Sequence, residues 1–359
     1  ETKLGWILLG KVNSTKSTVR SSTVFSHVSQ LDLDKTLQRF WELEDTESAR
    51  VFTNDEQVCE EHFAKTHHRD SNGRYVVRLP FRQTHPLGNS RIAALRRLRS
   101  IERKLEANEE IRIQYHKFMN EYISLGHMQL VPTSQLQIPD YESFYLPHHC
   151  VLKDSSTTTK LRVVFDGSAK SSSGISLNEK LMVGPVVQDG LWAILLRFRM
   201  HTIALIGDLV KMYRQIKVNS KDINFQRILW RFSASDPIQE FQLLTVTYGT
   251  ASAPYLATKV LQQLANDEQS TLPVAAEVMK RDFGVDDLMS GEGSVSSALE
   301  LQSQLIELAR RGGFQFQKWA SNSSEILEAV PPESRGTQLP LTIDSDESIK
   351  ALGLRWNPA

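Results

Sequence analysis

The sequence predicts an α+β fold in which a ferredoxin-like run of strands and helices surrounds three acidic residues, and three observations carry that prediction. An apolar, β-branched run, Ile203-Ala204-Leu205-Ile206-Gly207-Asp208-Leu209, reads as a buried strand with a carboxylate near its tip. A second apolar frame, Phe283-Gly284-Val285-Asp286-Asp287-Leu288-Met289, holds two adjacent carboxylates and reads as a hairpin, because its flanks are short and Gly291 and Gly293 follow. Helical patterns lie between and after these runs, and closing strands complete an order of strand, helix, strand, strand, helix, strand.

The elements follow in chain order. Leu4 to Leu9 reads as one apolar strand, and a Ser/Thr-rich stretch comes after it. Mixed charge from Leu31 to about Thr66 predicts helical segments. Arg74 to Phe81 alternates like a strand, with Val77, Leu79 and Phe81 on one face. Ile92, Leu95, Leu98, Ile101 and Leu105 then recur at helical spacing. Arg91, Arg96, Arg97, Arg99, Arg103 and Lys104 fill the remaining positions, a basic face that suits phosphates as well as it suits solvent. After a segment punctuated by Pro132, Pro139 and Pro147, Leu161 to Phe165 reads as a strand. Phe241 to Thr247 reads as another and runs into Tyr248-Gly249-Thr250-Ala251-Ser252-Ala253-Pro254. Pro254 at a first turn, followed by Leu256, Val260, Leu261 and Leu264, predicts a helix opening at this small-residue loop. Ser297 and Glu300 form a capping box before Ala298, Leu301, Leu305 and Leu308, and Gly312 and Gly313 end that helix. Phe314 to Trp319 and Ile349 to Trp356 are the last strands.

At 359 residues the chain predicts two or three lobes, and its 40% hydrophobic content is enough for a packed interior. Lys plus Arg and Asp plus Glu both total 42, so any basic surface is local. The two cysteines, Cys59 and Cys150, have no metal-ligand or paired spacing, which fits a reducing, intracellular compartment. Cys59 with His62, His67 and His68 matches no closed zinc site, and exposed polar loop is the better reading. No apolar run approaches the roughly 18 residues of a membrane span. The chain starts at Glu1 with no signal peptide or initiator Met and reads as a piece of something longer.

Three carboxylates brought together by folding are hard oxygen ligands, suited to Mg²⁺ or Mn²⁺ rather than zinc. Two such ions stabilise the attacking and leaving oxygens of an in-line phosphoryl transfer, so the chemistry the acids predict is nucleotidyl transfer. Asp282-Phe283-Gly284 and His68-Arg69-Asp70 spell two protein-kinase motifs, but Tyr75 stands where a kinase needs Asn and the motifs lie too far apart.

From about residue 30 onward the chain resembles the reverse transcriptase of Pao/BEL-type LTR retrotransposon polyproteins. The residues that carry the resemblance are Leu146-Pro147-His148-His149, Lys160-Leu161-Arg162-Val163-Val164-Phe165-Asp166-Gly167-Ser168, Lys211-Met212-Tyr213-Arg214-Gln215-Ile216, Val246 to Pro254, Val285-Asp286-Asp287, Lys318-Trp319 and Leu352-Gly353-Leu354-Arg355-Trp356. The first dozen residues, above all Leu4 to Gly10, look like the tail of a preceding retropepsin-like domain, without an Asp-Thr-Gly or Asp-Ser-Gly triplet.

The resemblance implies right-hand polymerase fingers and a ferredoxin-like palm, with an antiparallel sheet, helices on one face and no thumb. It divides the chain into a retropepsin tail at 1–20, a helical linker at 21–130, and fingers at 131–200. The palm follows at 201–325 with a fingers insertion near 219–245, and the palm end and primer grip lie at 326–359. It implies that Asp208, Asp286 and Asp287 hold two Mg²⁺ ions, with Mn²⁺ as a substitute, and that Lys318 protonates the pyrophosphate leaving group. Lys153, Lys160, Arg162, Leu209, Tyr213, Tyr248 and Gly249 fall at the deoxynucleotide site. Within it Tyr213 is the steric gate that excludes a 2′-hydroxyl, and Arg162 with Lys153 or Lys160 grips the triphosphate. Leu352, Gly353 and Leu354 fall at the primer grip.

The partners implied are an RNA or DNA template with its primer, dNTPs, and other polyprotein domains (protease, RNase H, integrase) or a second subunit. No membrane is implied, and the setting is a cytoplasmic virus-like particle. The chain departs from the family pattern at Gly284, where an aromatic residue, typically Tyr, is usual, and at Gly207 and Val210 beside Asp208. The competing reading keeps the fold and loses catalysis, leaving a retrotransposon remnant that only binds nucleic acid.

Overall fold

The computed structural model describes residues 52–152 and 161–336, together with the backbone of two short strands, Ile349–Ala351 and Leu354–Trp356. The chain divides into two compact units, Glu1–Val51 and Phe52–Ala359, and all described residues belong to the second. The strand and retropepsin tail expected near the N-terminus, and Lys153, Lys160, Leu352 and Gly353, lie outside the described residues.

Four antiparallel strands form the central sheet, in the spatial order Phe283–Gly284, Asp287–Glu292, Ile203–Leu209, Phe316–Ala320. The helices Ala253–Glu268 and Val295–Arg311 supply the crossovers, so the strand-helix-strand-strand-helix-strand order read from the sequence is the order found. A further helix, Pro273–Arg281, leads into the Phe283–Gly284 strand.

Alternation along Ile203–Leu209 sorts the two faces of this sheet. Leu205 and Leu209, with Leu288 and Phe316, join the main core, which also contains Leu301, Leu305 and Leu308 of Val295–Arg311. Ala204 and Ile206, with Met289 and Ala320, form a separate cluster with Ile194 and Phe198 of the helix Leu191–Phe198. Helices therefore cover both faces, which corrects the expected one-sided cover. Ile206 and Met289 point away from the two long helices and remove their apolar surface from water only because a short helix lies over them.

The rest of the unit is built from smaller sheets. Arg227–Trp230 and Met128–Leu130 flank Gln239–Leu243, His148–Leu152 pairs with Leu161–Phe165, and Tyr75–Val77 lies between His68–Arg69 and Lys217–Val218. Trp230, only 1% exposed, anchors this part: Tyr115 stacks on it at 5.2 Å, and His116, His148 and Phe232 meet it edge-on. Truncating such a buried ring removes its contacts and leaves a cavity. Trp230→Ala is expected to cost about 3–5 kcal/mol, read as a lower urea midpoint at unchanged m-value.

Several boundaries differ from the sequence reading. The Arg74 to Phe81 strand shortens to Tyr75–Val77, and the Leu79 N–H leaves the ladder to bond an Asp222 carboxylate oxygen at 2.9 Å. The strand expected over Phe241 to Thr247 is Gln239–Leu243. Ser294, not Ser297, caps the helix Val295–Arg311: its side chain accepts from the Ser297 N–H at 3.2 Å. Phe314 closes the end of that helix through its N–H on the Ala309 carbonyl, so the next strand starts at Phe316. Ile349 to Trp356 is an antiparallel pair of short strands rather than one. Cys59 is buried in the helix Asn54–Thr66, and burial pushes its thiol up to about 11, which leaves it an inert packing residue. No helix among the described residues is long and apolar enough to cross a membrane.

Candidate active site

Asp208 and Asp287 are direct cross-strand partners in the central sheet, so their side chains rise on the same face, opposite the two long helices. Asp286 occupies the turn between Phe283–Gly284 and Asp287–Glu292, and its carbonyl accepts from the Leu209 N–H at 3.0 Å. The turn is tight. Val285 takes φ 59°, a left-handed conformation that a β-branched residue rarely adopts. Gln188 holds it there, its amide accepting from the Val285 N–H at 2.8 Å and donating to the Val285 carbonyl at 3.3 Å. Gly284 sits in the ladder opposite Asp287, so the turn's conformational demand falls on Val285 and not on the glycine. At the base of the hairpin the buried Asp282 accepts from Ser290 Oγ at 2.7 Å and Arg197 Nε at 2.8 Å, a structural role for half of the kinase-like motif.

Lys318 reaches the same face by an irregularity in its strand. Gln317 pairs with Asp208 and Ala320 with Ile206, so the Phe316–Ala320 strand carries one more residue than its partner across that interval. Lys318, at φ 54°, is the bulged residue, and its ammonium pairs with Asp208 Oδ2. Gly207 explains itself here, because a Cβ at that position would lie 3.1 Å from Phe316 and 3.4 Å from Trp319, the rings that fill the space beneath the bulge.

Burial pushes the Asp286 carboxyl up to about 6, and the charges of Asp287 and Asp208 act in the same direction. Three hard oxygen donors that repel one another, with the Lys318 ammonium on Asp208, have the donor chemistry of a Mg²⁺ or Mn²⁺ site. As placed they do not form a closed set, and among the described residues no group of three His, Cys, Asp or Glu surrounds one metal position. Lys318 holds Asp208 Oδ2, so an ion using that oxygen would have to displace it. Lys318→Met is expected to lower, roughly fivefold, the Mg²⁺ concentration at which the melting temperature begins to rise.

Asp286 also lines a cavity of about 470 Å³ whose walls include Arg162, Lys211, Tyr213, Arg214, Glu121 and Tyr248. Tyr213 and Tyr248 separate it from a second cavity of about 310 Å³, bordered by Gly249, Thr250, Ala251, Pro254 and Asn178. Arg162 is exposed on the strand Leu161–Phe165 and faces the first cavity. Tyr248 is fixed by its hydroxyl donating to the Val163 carbonyl at 2.6 Å. Gly249, at φ 96°, is required, since a Cβ there would lie 2.2 Å from the Phe165 carbonyl oxygen. Leu209 is fully buried and its N–H is taken by Asp286, so its side chain belongs to the core and not to the cavity. Leu354 lies in a described strand, though nothing of its side chain is described.

The structure adds residues that the sequence did not single out. Glu121 binds Lys211 Nζ at 2.5 Å and Arg214 Nη2 at 2.8 Å, and the buried Arg214 lies over the Tyr122 ring at 4.2 Å. Arg214 also donates to His127 Nδ1 at 2.9 Å; burial and that guanidinium hold the imidazole down at about 4, hence neutral. Asn178 stitches the small-residue loop, accepting from Ala251 N–H at 2.8 Å and donating to the Gly249 carbonyl at 3.1 Å. None of these shows in periodicity, because each depends on partners distant in the chain.

No protein-family model and no curated protein sequence matches the chain. Among solved structures it is similar to the crystal structure of the Prototype Foamy Virus protease-reverse transcriptase (CSH mutant, selenomethionine-labelled). The identity is 10% and the TM-score 0.45, over 81% of this chain and 31% of that one. The chain thus spans about a third of that protein's length.

Proposed function

We propose that the described unit is a nucleotidyl transferase of the palm type, which joins a dNTP to a primer 3′-hydroxyl. The particular reading is the RNA-directed DNA polymerase domain of a Pao/BEL-type LTR retrotransposon polyprotein. The observation that carries the class is the register of the central sheet: Asp208 and Asp287 are cross-strand partners with Asp286 at the adjoining turn, beside a cavity walled by Arg162, Tyr213 and Tyr248. The sequence motifs quoted above carry the narrower reading.

In this mechanism Asp208, Asp286 and Asp287 would hold two divalent ions, which when bound would supply charge stabilisation to the phosphoryl transfer. Arg162 and Lys211 meet the triphosphate, with Arg162 suited to bidentate contact. Tyr213 packs under the sugar, while Tyr248 and Gly249 border the nascent base pair. The 3′-hydroxyl releases its proton to solvent as its oxygen attacks the α-phosphorus, the bond to pyrophosphate breaks, and Lys318 gives a proton to the departing oxygen and regains one from solvent. Template, primer, companion polyprotein domains and a cytoplasmic particle complete the proposed setting.

Extension of oligo(dT) on poly(rA) with dTTP and Mg²⁺ tests the reading. Product is expected with this chain and not with Asp208→Asn, and Gly284→Tyr is expected to raise the yield by restoring a ring beside the primer end. If neither the chain nor Gly284→Tyr extends the primer while both still bind it, the non-catalytic nucleic-acid binder is the correct description.

A further inference from the structure

We propose that the helix Arg91–Ala107 carries a binding track for the phosphates of a single-stranded template beyond the catalytic cavity. The proposal rests on the polymerase reading for the word template, and on the helix itself for the binding.

The buried side of this helix is Ala94, Leu98, Ile101 and Leu105. At 100° per residue, Arg96, Arg97, Arg99, Arg103 and Lys104 all fall in a sector of about 160° on the opposite side. All five are exposed. Carboxylates elsewhere in the protein usually neutralise arginine, yet among the described residues Arg96, Arg99, Arg103 and Lys104 have no acid within ion-pair distance. Arg103 reaches only the Arg99 carbonyl of its own helix, at 3.4 Å. Of the two acids beside the sector, Glu106 is exposed about 20° outside it, and Glu102 turns away to Arg231 Nε at 2.5 Å.

A chain with equal numbers of cations and anions has therefore concentrated five cations on two turns of one helix. Structure does not require this, since the packing of the helix is carried by its apolar side. Arg97 ties the track to the candidate site. It lies 3.6 Å from Asp166, the residue after Phe165, and the Phe165 carbonyl is the atom against which Gly249 is packed. The track thus continues from the loop that borders the second cavity. From Arg96 to Lys104 it runs about 12 Å along the helix axis, the length of roughly three or four phosphates. Guanidinium groups match phosphate geometry, and a strand lying here gains affinity by releasing counterions, without regard to base sequence.

The experiment compares the chain with a variant carrying Arg96→Gln, Arg99→Gln and Arg103→Gln, and with a control of equal charge carrying Lys65→Gln, Arg281→Gln and Arg310→Gln. Fluorescence anisotropy is read on a primer-template duplex with a 20-nucleotide single-stranded template overhang and on the same duplex blunt-ended, across a salt series. Circular dichroism confirms folding of both variants. The track predicts a loss of roughly tenfold on the overhang substrate alone, with the salt slope falling by about 2, the share of three phosphates on a single strand. Equal losses on both substrates, or the same loss with the control, overturn it and assign the effect to net charge. Binding lost to phosphatidylserine vesicles but retained on the overhang overturns it in favour of a membrane surface. Primer extension on a two-nucleotide overhang runs in parallel. Extension without a track effect sinks the track and leaves the polymerase reading, whereas a track effect without extension does the reverse.

Discussion

Asp286→Asn is expected to lower primer extension by about a thousandfold and, in the absence of divalent ions, to stabilise the protein. If the three acids hold two ions as proposed, losing one ligand removes several kcal/mol of transition-state stabilisation, and each 1.4 kcal/mol is a factor of ten. Stability moves the other way because the folded state handles this carboxylate poorly. Its carboxyl is raised by burial, and by Asp287 and Asp208, from 3.8 to about 6. The folded protein thus binds a proton there more tightly than the unfolded chain does. The stability that the protonated acid contributes is complete below pH 3.8 and is lost as pH rises through 6. Asparagine carries no charge, so its advantage is absent near pH 4 and full above pH 6, on the order of 1–2 kcal/mol after allowing for partial exposure. Thermal melts at pH 4 and pH 7.5 with EDTA check this, and adding Mg²⁺ at pH 7.5 is expected to close the gap by stabilising the parent chain. A variant that is less stable at both pH values and inactive would count against charge repulsion at this turn.

Tyr213→Ala is expected to reduce discrimination between dTTP and UTP by about a hundredfold, with kcat/KM for dTTP falling less than that for UTP rises. Tyr213 stands where the two cavities meet, and burial together with the charge of Asp286 raises its hydroxyl above the usual range. On the proposed reading, a neutral ring held at that junction acts as a steric device. Its position is secured from behind, because Glu121 grips both Lys211 and Arg214, the neighbours on either side of Met212-Tyr213. Glu121→Gln is therefore expected to blunt the same discrimination, through looser placement of Tyr213, while leaving its ring intact. Single-nucleotide incorporation with each substrate measures both variants, and unchanged selectivity in Tyr213→Ala removes the gate from this residue.

The acids and the sheet that presents them were legible because local rules govern them. Apolar runs of strand length, Pro254 opening a helix and Gly312 closing another each depend on near neighbours, and the ferredoxin-like order followed from counting them. Leu209 shows the limit of position-by-position transfer. Adjacent to Asp208 in sequence, it points to the opposite face of the strand, as every odd step along a strand must. The Gln188 clamp on Val285 and the buried Arg214 were invisible for another reason. Gln188 is 97 residues from its partner, and an arginine within Lys211-Met212-Tyr213-Arg214 reads as surface until His127, Tyr122 and Glu121 are seen around it. The helix covering Ile206 and Met289 was missed because its own run is short and one-sided pattern gave no sign of which sheet face it would meet.

Lys318 is the supernumerary residue of its strand, and this gives the position an unusual genetic character. In-frame loss of a single codon normally throws every following side chain of a strand onto the wrong face. Here, removing Lys318 would instead bring Trp319 opposite Gly207 and Ala320 opposite Ile206 in an unbroken ladder, leaving the core contacts of both in place. On the proposed reading the codon is dispensable for the architecture, and what it contributes is the ammonium beside Asp208. A lineage that had ceased to need the ammonium beside Asp208 would be free to delete it, so the length of this strand, more than the identity of any residue in it, records whether the site is still in use.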